Sequence, residues 1–98
     1  MADLDLRHVT AAVHARAAGW ENAGVRWSVT IGSEMDRSAA SITCETSGAL
    51  AHLTVWADGD AKMNVVSRPG KLSSLFYYRL ATTDDVAHCL DELTQHLL

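Results

Sequence analysis

Ala49-Leu50-Ala51-His52-Leu53-Thr54-Val55-Trp56 is the stretch that decides the fold. Ala51, Leu53 and Val55 fall at one parity and His52, Thr54 and Trp56 at the other, which is the pattern of a strand that buries one face. Asp58-Gly59-Asp60 follows at once, and Asp and Gly tolerate the positive φ values of tight hairpins, so the chain turns back beside the strand it has just made. The alternation then resumes, with Met63 and Val65 opposed to Lys62, Asn64 and Val66. Arg68-Pro69-Gly70 reads as the next turn. Leu75–Leu80 reads as one more strand, with Phe76, Tyr78 and Leu80 on one face and Tyr77 and Arg79 on the other.

The same pattern extends toward the N-terminus. Ser47-Gly48 is a turn, and before it Ala40, Ile42 and Cys44 alternate with Ser41, Thr43 and Glu45. Gly32–Arg37 reads as a polar connection. Ahead of it, Val25, Trp27, Val29 and Ile31 form the inward parity of a further strand. Helices bracket these five strands. In the first, Leu6, Val9, Val13, Ala17 and Trp20 recur at spacings of three and four. Asp3 and Asp5 favour its N-terminus, and Gly19 is placed to end it, so a helix is expected from about Asp3 to Ala18 with Trp20 closing its end. In the second, Thr82 or Thr83 caps the start, and Thr82-Thr83-Asp84-Asp85 has the shape of a capping box with Asp in place of Glu. Val86, Cys89, Leu90, Leu93 and Leu97 make its apolar stripe. The expectation is an α+β domain over residues 1–98: helix, five-stranded antiparallel meander, helix, with both helices on one sheet face.

Composition narrows the function classes. A chain of 98 residues, 48% hydrophobic, can bury a core, though roughly 60–70% of its unfolded surface is all it can hide. Eight Lys and Arg against twelve Asp and Glu give a net charge of −4, which disfavours nucleic acid or an anionic membrane and favours basic protein partners. Cys44 and Cys89 fit neither a metal spacing nor a disulfide scaffold, and no long apolar run marks a signal peptide or membrane span. A reduced, cytoplasmic setting is therefore expected. The five histidines form no i, i+4 helical pair and no motif with a carboxylate, so no metal site is expected. His88 and Cys89 are neighbours on a helix and point about 100° apart. That places Cys89 in the core and His88 in solvent. There is no Gly-x-Ser-x-Gly elbow and no glycine-rich phosphate loop, and the expectation is a non-enzyme without a cofactor.

Among the three tryptophans, Trp20 and Trp27 belong to buried stripes, whereas Trp56 shares a strand face with His52 and Thr54. A half-exposed aromatic beside acidic turns suits an interface anchor, and the partner-binding surface is expected at Trp56, Asp58, Asp60, His52 and Glu45. The alternative is that Trp56 merely covers the outer sheet face with Tyr77 and Val66.

The run Ser47–Trp56 with Asp58-Gly59 after it, then Tyr78-Arg79-Leu80 leading into Thr83-Asp84-Asp85-Val86 and a helix with Leu90 and Leu93, resembles the TriTu-type immunity proteins of bacterial polymorphic toxin systems. The similarity covers roughly Trp20 to the C-terminus. It implies a cytosolic, non-enzymatic protein that binds and neutralises a cognate toxin domain, and the acidic balance agrees with a basic toxin. A secretion-chaperone-like protein would also be small, acidic and α+β. A small-molecule-binding module would use the open sheet face, lined by Trp56, Tyr77 and His52.

Overall fold

The Asp5 carboxylate opens the first helix by accepting the Arg7 backbone N–H at 2.9 Å, while the Arg7 guanidinium grips both carboxylate oxygens. A computed structural model describes the chain over residues 4–34, 36–67 and 73–98. Asp3, expected in this helix, lies outside the described residues. Helix α1 spans Leu6–Asn22 and buries Val9, Val13 and Trp20. It therefore does not stop at Gly19. Trp20 is buried and its indole N–H donates to Thr94 Oγ1 at 2.8 Å, which holds the following turn in place. The left-handed residue comes later, at Gly24 with φ +81°.

Five strands follow in sequence order as one antiparallel sheet: β1 (Arg26–Glu34), β2 (Arg37–Glu45), β3 (Ala49–Trp56), β4 (Asp60–Ser67) and β5 (Ser73–Arg79). The register aligns the inward parity into rows. Val29, Ile42, Leu53, Met63 and Phe76 form one such row, and Ile42, Leu53 and Met63 at its centre are fully buried. The expected polar connection Gly32–Arg37 is mostly strand, because Glu34 pairs directly with Arg37 across a tight hairpin with Asp36 at φ 61°. The turn expected at Arg68-Pro69-Gly70 lies outside the described residues.

Helix α2 (Thr83–Leu97) starts as the capping box written in its sequence: Thr82 accepts from Asp85 N, and the Asp85 carboxylate accepts from Thr82 N. It buries Val86, Cys89, Leu90, Leu93 and Leu97. Both helices lie on one face of the sheet, α1 against β1 and β2 and α2 against β3. Arg16 ties them together by bonding Asp91 and the Ala87 carbonyl.

The path of α1 explains one departure from the expected core. Its entry is fastened to the end of β3 through Leu4 N to Ala57 O, and its last turns pack on the start of β1 through Trp27. This diagonal leaves the far corner of β1 bare. Ile31 has the inward parity but is 52% exposed.

The turn between β3 and β4 is stereochemically fixed. Gly59 has φ +100°, and a Cβ there would stand 2.5 Å from the Leu80 carbonyl oxygen. Only glycine fits both the backbone conformation and the approach of Leu80, whose N–H donates to the Gly59 carbonyl at 2.7 Å. The turn thereby fixes the end of β5 against the start of β4.

Candidate functional site

Among the described residues the outer sheet face carries no helix, since α1 and α2 pack on the opposite side. Its rows read Ser28, Thr43, His52, Asn64, Leu75 and Thr30, Ser41, Thr54, Lys62, Tyr77. Small hydroxyl side chains dominate the β1 to β3 side. The β4 and β5 side is longer and more aromatic.

Trp56 lies at one end of this face and differs from its expected state. It is 4% exposed rather than half-exposed. The Arg37 guanidinium sits 4.5 Å from its ring centroid and the Lys62 ammonium 5.9 Å away, so two long side chains from the flanking strands lie over the indole. Arg37 is anchored in turn, bonding Asp58 Oδ2 at 2.7 Å and Asp60 Oδ2 at 3.1 Å. Arg79 makes a close ion pair with the other oxygen of Asp60. The backbone N–H of Asp60 donates to Asp58 Oδ1, and this bond together with Arg37 holds the Asp58 carboxyl below the usual carboxylate range.

Around these groups runs a cleft of about 470 Å³, lined by Arg37, Trp56, Asp60, Lys62, Tyr77 and Tyr78. Tyr77 stands 74% exposed at its rim. Of the residues singled out in the sequence, Trp56, Asp58 and Asp60 are brought together here. His52 and Glu45 are not. His52 sits in the middle of the face, sharing a 3.0 Å hydrogen bond with Thr43, and Glu45 lies at the opposite end of β2, paired with Arg26 at 2.7 Å. The expected open acidic turn is also revised, because Arg37, Lys62 and Arg79 outnumber Asp58 and Asp60. The site is locally cationic on an acidic chain.

Lys62, Tyr77 and Arg79 were within reach of sequence reasoning, since all share the outward parity with Trp56. Arg37 was hidden by its assignment to a connection. Elsewhere, burial pushes the thiols of Cys44 and Cys89 up to about 12, so both are protonated at neutral pH. His88 is exposed, as expected, and His96 stacks on Phe76. Among the described residues, no group of three or more His, Cys, Asp or Glu side chains is placed to hold a metal ion, and no helix is long and apolar enough to cross a membrane.

No family model, curated protein or solved structure matches the chain.

Proposed function

We propose that this chain is a non-catalytic protein-binding module of the immunity type, which neutralises a toxin domain by docking it on the outer sheet face at the Arg37–Trp56–Lys62–Tyr77 cleft. The observation that carries this reading is the division of the sheet: two helices pack on one face, while the other holds a cleft of about 470 Å³ beside a tyrosine that is 74% exposed. An aromatic rim over a fixed cationic floor is the composition of an interface anchor. The sequence resemblance to TriTu-type immunity proteins points the same way. The two thiols support a role without covalent chemistry, because burial keeps both in the unreactive protonated form.

The net charge of −4 favours a basic toxin at long range, and the local cations add a requirement for an acceptor, such as a carboxylate or carbonyl, at the point of contact. The test is binding to the toxin domain encoded beside this chain, measured by calorimetry and by growth protection on co-expression. Lys62→Ala and Tyr77→Ala are expected to keep the fold and each to weaken affinity tenfold or more, about 1.4 kcal/mol. Parental affinity in both folded variants would place the interface elsewhere, and a parent that neither binds nor protects would remove the immunity reading.

A further inference from the structure

We propose that β5 is a self-association edge, through which two copies of this chain join their sheets antiparallel about a two-fold axis at Phe76. The inference does not depend on the proposed function. The sheet is an open meander, so among the described residues β5 has a neighbour only in β4. Which of its backbone groups face outward follows from one hydrogen bond. Leu80 N donates to Gly59 O, the pair that continues the Asp60↔Arg79 register, so Leu80 is directed toward β4. Antiparallel pairing alternates residue by residue. Tyr78, Phe76 and Ser74 therefore also point their N–H and C=O at β4, and Arg79, Tyr77, Leu75 and Ser73 point theirs outward.

These outward-directed residues carry the side chains of the outer face, where neither α1 nor α2 packs. Leu75 is 50% exposed and Tyr77 74% exposed, two of the four large exposed hydrophobics among the described residues. Arg79 is the one charged side chain of Ser73–Arg79, and Asp60 already pairs with it. An edge strand whose single charge is already paired, with exposed apolar side chains and outward ladder groups that face no strand among the described residues, is a template for another strand.

A second copy fits this edge because the strand is complementary to itself. With the axis at Phe76, Leu75 of one chain faces Tyr77 of the other in a hydrogen-bonded pair, and Ser73 faces Arg79. Apolar meets apolar and no like charges oppose one another. On the helix side the axis brings together two copies of the Phe76–His96 stack and the Tyr78–Glu92 hydrogen bond, so each copy presents an acidic and an imidazole side chain to its mate. The other edge differs. The register assigns the outward backbone groups of β1 to Trp27, Val29 and Ile31, whose side chains lie on the helix face, and Trp27 is occupied there by Glu21, His14 and Trp20.

Analytical ultracentrifugation of the full chain across micromolar to millimolar concentration tests the proposal. The expected result is a reversible species of twice the 10.6 kDa chain mass, lost in Leu75→Lys and kept in Thr30→Lys on the β1 side. Cross-linking tests the register: Leu75→Cys and Tyr77→Cys chains, mixed under oxidant, should form a heterodisulfide, since a hydrogen-bonded antiparallel pair holds its Cα atoms about 5.5 Å apart, within disulfide reach. A parent that stays monomeric throughout overturns the proposal. So does a dimer that survives Leu75→Lys, or a mixture that gives only homodisulfides.

Discussion

The two faces of this sheet are built from the same strands with opposite economies of cover. On the inner face, Ile42, Leu53 and Met63 are buried by helices that supply Val9, Val13, Leu90 and Leu93, and the cover over the centre of the sheet is apolar. On the outer face, Trp56 is almost as buried as any of these, but its cover includes two cationic side chains, one held by carboxylates in a turn. Burial on the first face comes from secondary structure packing on secondary structure. On the second it comes from side chains that water also reaches.

That contrast sets the largest expected effects. Leu90→Ala removes a fully buried side chain between α2 and the sheet and should cost about 2–5 kcal/mol in urea melts. Trp56→Ala should cost less than the same truncation in a sealed core, about 2 kcal/mol, because Arg37 and Lys62 can settle into the space and regain water. If Trp56→Ala proved the more damaging of the two, the outer face would be a second core, and the distinction between the faces would fail.

How much of this was legible in the sequence follows from the same contrast. Parity and turn chemistry carried the strand order, the β3 boundaries, the hairpin at Asp58-Gly59-Asp60 and the Thr82–Asp85 capping box, because each depends on residues adjacent in the chain. The exposure of Trp56 was misread because it depends on Arg37, nineteen positions away, whose guanidinium reaches the indole only once β2 and β3 pair. The same holds for Asp58 and Asp60, which look like open carboxylates in sequence and are ion-paired in the fold. Ile31 shows the converse. Its parity is right, but parity carries no information on how far a helix extends across a sheet.

Acid sharpens the comparison between the buried core and the turns and caps around it, since among the described residues no Asp or Glu is buried. Asp5 is held at about 2 by its bonds to Arg7, Asp58 lies below its ordinary range through the Asp60 N–H and Arg37, and Asp85 lies below it through the backbone N–H groups of Ala81 and Thr82. A carboxylate with a depressed folded value contributes stability above its unfolded value near 4, and that contribution is lost as pH falls toward the folded value. Stability should therefore be level through neutral pH and decline from about pH 4 toward pH 2. Asp58→Asn and Asp85→Asn should each flatten part of that decline in melts at fixed pH. An unchanged slope in both would mean that these turns do not contribute to holding the fold.

The smallest expected effect is also the most discriminating. Tyr77 projects from the outer face with most of its surface in water, so Tyr77→Ala should change stability by about 0.5 kcal/mol or less. A ring that adds so little to folding, on a strand whose inner-face neighbours Phe76 and Tyr78 contact α2 through His96 and Glu92, is surplus to the chain's own architecture. A loss above about 1 kcal/mol in urea melts would show that Tyr77 shields Trp56 as part of the fold. The aromatic rim would then be structural, and the division of labour between the two faces would disappear.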